Sequence, residues 1–347
     1  DWHIDQMKYA VNESAPLPLT VPLEQYLYGT NDFVPIVDNR NTAMLISDVM
    51  SIFKHPDIKC SWGDSRVDYI PSRRIIVPVN RENVIKYGIL SEKYADQIPD
   101  SIELVIPEGK TVLSKGELFL LDLLSNYQWD RPLCMLNMGG DLNVGQKDYL
   151  EYRGLSHMLV PIKSRTSSLK PGFSDPDVLY DLMKEKFRFD ALGRDDYYID
   201  YQNIYTFAGV QNVRNMALAM SDIFKNAGHN DRAVEALDKG FGAMENFPLI
   251  TSPLGLQAND YAVAGAIQAY LELGRKETAL ELAGKAKDEI LKGIKFFMSP
   301  YTYDSDSCEL LSGMYYLISD MLKDAGETDM RNQMLQELNV ILRKVLL

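Results

Sequence analysis

No stretch of this 347-residue chain approaches the roughly 20 consecutive apolar residues that a membrane helix needs, and no charged start leads into an apolar signal core. The chain reads as soluble, with no direct membrane insertion of its own. Cysteine is scarce: Cys60, Cys134 and Cys308 lie far apart without a CxxC pair, which argues against a zinc site or a dense disulfide framework and favours buried free thiols. Positive charge is also in short supply. The 36 Lys and Arg against 49 Asp and Glu leave a formal charge of -13, which repels phosphate backbones and anionic membrane surfaces, so no nucleic-acid partner is expected. GxSxG, Walker and HExxH signatures are missing, and His3, His55, His157 and His229 are scattered with no pair at ligand spacing. No metal, cofactor or local catalytic residue is expected.

What is present is the composition of a folded protein, 46% hydrophobic and 24% charged, long enough for two domains. The expected architecture is α/β plus all-α: a small mixed α/β domain over 1–165, then tetratricopeptide-like helical hairpins over 166–347. In the first half, WHIDQMKYA reads as a short helix and APLPLTVPLEQY as a proline-rich extended connection. NTAMLISDVMSIFKH puts Leu45, Val49, Ile52 and Phe53 on one helical face, with Asn41 or Thr42 available as cap. Strands are expected in RRIIVPV from Arg73, SIELVIP from Ser101, PLCMLNM from Pro132 and LSHMLVPI from Leu155. Between the second and third, LSKGELFLLDLL carries a capping box at Ser114 and Glu117 and a hydrophobic staple at Leu113 and Leu118, which makes a βαβ unit of the three elements.

After a polar, proline-containing link around 164–177, strand signals become scarce. The spacing aromatic-x3-Gly-x4-Ala occurs at Phe224, Gly228 and Ala233 and again at Tyr270, Gly274 and Ala279; a third unit keeps Gly326 but has Leu322 and Arg331 beside it. Each glycine ends one helix and each small alanine lets the next pack closely, as in tetratricopeptide hairpins, although the repeat is longer than theirs; an irregular helical bundle is the alternative. Gly139, Gly140 and Gly145 lack the order of a nucleotide loop and read as turn residues. YDSDSCE, with Asp304, Asp306 and Glu309, reads as a solvated acidic loop without the glycine and length of a calcium loop. DDYYIDYQNIY groups Tyr197, Tyr198, Tyr201 and Tyr205 with Asp195, Asp196 and Asp200, a combination suited either to carbohydrate or peptide binding or to packing where the helical half begins.

The runs DWHIDQM, YGTNDFVPI from Tyr28, IPSRRIIVPVN from Ile70, WDRPLCMLNM from Trp129 and DYLEYRGLSHMLVPIK from Asp148 come in an order that resembles a known family. It is the carboxy-terminal part of a family of Gram-negative bacterial multi-span membrane proteins, long known only as a domain of unknown function, which is similar to eukaryotic transmembrane protein O-mannosyltransferases. DVLYDLMKEKFRF from Asp177 and the later hairpins resemble its tail. The resemblance implies an upstream membrane region of the glycosyltransferase C type using a lipid-linked sugar donor. A chain opening at Asp1 fits a piece of such a protein. It would be the periplasmic ectodomain, non-catalytic by itself, whose partners are a protein or glycan acceptor and its own membrane region. The framework Arg131, Pro132, Asp148, Tyr149, Leu150 and Gly154 is kept, whereas Cys134, Met135, Arg153, His157 and Met158 depart from the family pattern. Asp148 and Tyr149 therefore join the Asp195 to Tyr205 group as candidate binding residues. Two alternatives stand: a self-sufficient carbohydrate-active enzyme with paired acids among Asp195, Asp196, Asp200 or the Asp304 group, and a pure interaction scaffold favouring basic partners.

Overall fold

The computed structural model of the chain describes residues 18–29, 31–38, 41–136, 142–164, 172–188, 194, 196, 210–242, 247–250 and 261–343. Two compact units divide at Asp175 and Pro176. Mixed α/β structure is followed by helical hairpins, as expected.

The first unit runs α1 (Leu23–Tyr28), β1 (Phe33–Pro35), β2 (Met44–Leu45), α2 (Ile46–Ser51), β3 (Cys60–Trp62), β4 (Ser65–Val67), β5 (Arg74–Pro78), α3 (Arg81–Lys86), β6 (Ser101–Val105), β7 (Val112–Ser114), α4 (Lys115–Ser125), β8 (Cys134–Met135), β9 (Leu150–Tyr152) and β10 (His157–Leu159). β5 lies between parallel β2 and antiparallel β6; β10 lies between antiparallel β8 and β9; β1 pairs with β7 and β3 with β4. Alternation decides which face is covered. Ile75 and Val77 of β5 and Ile102 and Leu104 of β6 are buried while their neighbours are not, and they share one core with Val49 and Met50 of α2 and Leu118, Leu121 and Leu124 of α4. Each such buried side chain contributes about 1.5–3 kcal/mol.

Three expectations are corrected here. The proline-rich connection is not extended to its end, because Pro22 takes the N-cap of α1 and Leu23 to Tyr26 are helical. Met44 and Leu45 pair with Ile75 and Ile76, so the helix begins only at Ile46, with Leu45 at its N-cap and neither Asn41 nor Thr42 capping it. Sheet completion outweighs helical periodicity at those two residues. The βαβ unit also lies elsewhere: β6 and β8 belong to different sheets, and the parallel pair is β2 and β5, connected through α2 and the β3–β4 hairpin with its two-residue Gly63-Asp64 turn.

The capping box forms as read. Ser114 Oγ accepts from the Glu117 N–H, and Glu117 Oε2 accepts from the Ser114 N–H at 3.0 Å; Leu113 and Leu118 are both fully buried. Glu117 is itself buried, and its Oε1 accepts from Lys110 Nζ at 2.6 Å and the Asn143 N–H at 2.8 Å. Burial pushes this carboxyl up, but the donors from Lys110, Asn143 and Ser114 together hold it below its usual range. At the other end of α4, buried Asp122 accepts from the Thr20 and Val21 N–H groups and from Tyr26 Oη, which fastens the segment entering α1.

The second unit begins with α5 (Pro176–Asp181), which runs into a π-helical turn to Lys186. Three hairpins follow: α6 (Val210–Asn226) with α7 (Asn230–Leu237), α8 (Ala262–Glu272) with α9 (Lys276–Phe297), and α10 (Ser305–Asp324) with α11 (Thr328–Arg343). All three turn in the same way. Gly228, Gly274 and Gly326 have φ of 82, 73 and 84°, and the next residue's N–H reaches back to the carbonyl of Phe224, Tyr270 or Leu322 at 2.8 Å. That pair of features is the Schellman termination, which only glycine enters without strain. The three side chains at the position four before the glycine are buried, as are Ala233 and Ala279. Beyond each partner helix, α6 packs on α8 and α8 on α10. Residues 247–250 are pinned between hairpins: buried Arg214 of α6 donates to the Phe247 and Pro248 carbonyls, and Glu289 of α9 accepts from the Leu249 and Ile250 N–H groups.

Candidate functional site

The residues just before the WDRP stretch, Tyr127 and Gln128, wall a pocket in the first unit. β5 ends at Pro78, and Asn80 caps α3 by accepting the Asn83 N–H at 3.1 Å. From the opposite side, α4 ends at Ser125 and the chain turns through Tyr127 and Gln128. Between these ends lies a cavity of about 470 Å³ lined by Pro78, Val79, Asn80, Arg81, Leu124, Ser125, Tyr127 and Gln128.

Trp129 forms the anchor behind it. This residue is fully buried and has φ of 57°, a conformation that costs a bulky L-residue about 1–2 kcal/mol. Three contacts sustain it: its Nε1 donates to the Pro78 carbonyl at 2.8 Å, its ring lies 4.9 Å from that of Tyr127, and Asn83 Nδ2 donates to the adjoining Gln128 carbonyl at 2.8 Å. Tyr127 Oη donates to the Arg131 carbonyl at 2.5 Å. Burial, with Asp130 and Cys134 nearby, pushes that hydroxyl well above its usual range, so it stays protonated. Among the described residues the Arg81 guanidinium is held by long contacts alone, 3.5 Å to Asp100 and 3.4 Å to the Ala95 carbonyl. The lining thus offers an aromatic ring, two amides, two hydroxyls and a loosely held cation, and among the described residues it contains no carboxylate, imidazole or thiol. Such a set can orient a neutral or anionic polar ligand; it supplies no acid–base pair.

The residues singled out from sequence lie elsewhere. Asp148 is exposed, 3.7 Å from Lys163, whereas the neighbouring Tyr149 is buried and its hydroxyl donates to the Glu103 carbonyl at 3.1 Å and accepts the Glu103 N–H at 3.3 Å. That hydroxyl covers the free edge of β6, so the two adjacent side chains serve different surroundings. Asp196 is exposed and paired with Arg194. Asp195, Tyr197, Tyr198, Asp200, Tyr201 and Tyr205 lie outside the described residues, as do Gly139 and Gly140. The acidic loop at Asp304 is corrected: Asp304 is the N-cap of α10, accepting from Asp306 N–H, Ser307 N–H and Ser307 Oγ. Among the described residues no group of acids, histidines and cysteines is arranged to hold a metal.

Of the residues read as departures, Arg153 is engaged locally, whereas the buried His157 Nδ1 has no hydrogen-bond partner among the described residues. Arg153 donates from Nε and Nη2 to Oε2 of buried Glu151 at 2.9 and 2.7 Å and to the Ile89 carbonyl at 3.1 Å, while Glu151 Oε1 accepts the Asp175 N–H at 3.0 Å. Burial pushes Glu151 above the usual carboxylate range against the pull of Arg153. The three cysteines are free thiols but none is fully buried: exposed Cys134 and half-buried Cys60 lie on the short strands β8 and β3, and half-buried Cys308 lies in the first turn of α10. Sequence reasoning missed Asn80, Arg81, Tyr127 and Gln128. The available signals were an asparagine directly after an apolar strand and two aromatic residues spaced by one before Asp130-Arg131-Pro132.

Among the described residues no helix is long and apolar enough to cross a membrane. No curated protein and no solved structure matches the chain. The family model for TMEM260-associated domain 2 matches residues 1–178, which include every residue lining the pocket. The chain belongs to the TMEM260-associated domain 2 family.

Proposed function

We propose that this chain is the acceptor-recognising, non-catalytic ectodomain of a multi-span membrane glycosyltransferase similar to the O-mannosyltransferases, placed on the periplasmic side of the inner membrane. The Tyr127 pocket is where it holds a glycan or a peptide acceptor. One observation carries this reading: a strained, fully buried tryptophan keeps an aromatic wall and a loose arginine at a pocket whose described lining has no acid–base pair, inside the matched family region. A ring face stacks on the apolar side of a sugar or a peptide side chain, while Asn80, Arg81 and Gln128 bond its polar edge.

The test is calorimetric titration of the purified chain with mannose-type glycans and with short hydroxyl-containing peptides, turnover of a lipid-linked donor being followed in parallel. Saturable binding without turnover is expected. Tyr127→Ala removes the stacking contact and weakens binding about tenfold, from ~1 kcal/mol of ring interaction plus lost area. Turnover by the chain alone, or affinity untouched by both Tyr127→Ala and Arg81→Ala, overturns the proposal.

A further inference from the structure

The helical unit repeats one packing rule, and the rule leaves a face uncovered. Leu218 of α6, ten residues before its capping glycine, lies against Gly265 of α8: a methyl group added at Gly265 would come within 2.5 Å of Leu218 Cδ2. Leu218 is half-buried there, and Ala264, ten residues before Gly274, is buried. In α10 the same position, ten before Gly326, is Tyr316, and it is 44% exposed. Leu310 and Leu317, at 44% and 39%, lie near it on the outward face with the exposed Gly313 between them. Nothing lies within 4 Å of a side chain built at Gly313.

An exposed apolar face on a repeat helix remains available for association. Here the first helix of the third hairpin keeps an apolar middle of two turns. Carboxylates bracket it along the axis, with exposed Asp306 and Glu309 before it and exposed Asp320 and Asp324 after it, against one exposed cation, Lys323. A glycine in the centre lets another backbone come close. A second copy of the chain laid on this face would set carboxylates against carboxylates, which is repulsive. A helix with an apolar stripe and basic ends meets both the stripe and its rim.

We infer that the outward face of α10, through Leu310, Gly313, Tyr316 and Leu317, docks a basic amphipathic helix of a partner protein. The docked helix packs on α10 as α8 packs on α6. This face is independent of the Tyr127 pocket, and its test does not depend on any glycan.

The experiment is fluorescence anisotropy of the intact chain with a labelled synthetic helix of about 18 residues, long enough to be helical on contact, carrying leucines at i, i+3 and i+7 and lysines at both ends. An analogue with glutamates in place of the lysines is run beside it, at low and high salt, with sedimentation to follow self-association. The basic helix is expected to bind saturably, about tenfold more tightly than the acidic analogue, and to weaken with salt. Leu310→Ser with Leu317→Ser abolishes binding without altering the circular dichroism. Glu309→Lys with Asp320→Lys reverses the preference between the two peptides. No binding, equal binding of both peptides, or binding retained in the serine variant overturns the inference; a chain dimer lost in the serine variant assigns the face to a second copy and overturns it too.

Discussion

Four glycines with positive φ allow one substitution to be read against two different surroundings. At Gly228, Gly274 and Gly326 a methyl group meets nothing within 4 Å, so alanine there costs only the left-handed backbone strain of an L-residue, about 1–2 kcal/mol. At Gly145, with φ of 94°, the added carbon comes within 2.3 Å of the Val105 nitrogen and 2.9 Å of its carbonyl oxygen, both backbone atoms of β6. Backbone cannot rotate away as a side chain can. The strain is therefore joined by an overpacking term of about 1–3 kcal/mol, for a total of roughly 3 kcal/mol or more. The two units can be followed separately, because Trp2, Trp62 and Trp129 are the three tryptophans and all precede Asp175, whereas long helices lie after it. In urea, with a slope of about 2 kcal/mol per molar, Gly274→Ala lowers the midpoint of the helical signal at 222 nm by roughly 0.5–1 M and leaves tryptophan fluorescence in place. Gly145→Ala lowers the fluorescence midpoint by about 1.5 M on the same slope. A larger loss from Gly274→Ala than from Gly145→Ala would refute the contact argument, and a shift of both signals by either variant would refute the separation into units.

Further outcomes follow from single side chains. Glu117 has a folded pKa below its ordinary 4.5, so its contribution is present above that value and is lost as pH falls through the lower folded value. Acid titration of tryptophan fluorescence should show this loss in the wild type and a shallower acid limb in Glu117→Gln; identical limbs would mean the carboxylate contributes nothing. Arg331 stands where the first two hairpins have a buried alanine, and its buried Nε has no hydrogen-bond partner among the described residues. Arg331→Ala should leave the helical midpoint unchanged or raise it by up to about 1 kcal/mol in stability, because an unsatisfied group is removed and a better helix former introduced. A clear fall in that midpoint would show that Arg331 packs productively.

The sequence alone determined what is local. Ser114 and Glu117 sit at the spacing of a capping box because both partners lie within one helical turn, and the box forms whatever surrounds it. Gly228, Gly274 and Gly326 dictate their turns for the same reason, and the alternating residues of β5 and β6 announce a half-buried sheet. Tertiary structure decided everything that depends on which segments meet. Met44 and Leu45 left the helical pattern because β5 offered them a parallel partner 31 residues later in the chain, and β8 left the presumed βαβ unit for β10. The pocket was hidden for the same cause: Asn80 and Arg81 approach Tyr127 and Gln128 only after β5 and α4 pack, and the positive φ of Trp129 is imposed by the Pro78 carbonyl and the Tyr127 ring. Hydrogen bonds within one turn are written in neighbouring letters. Contacts between distant segments are selected by burial of the whole core, which no short stretch of sequence contains.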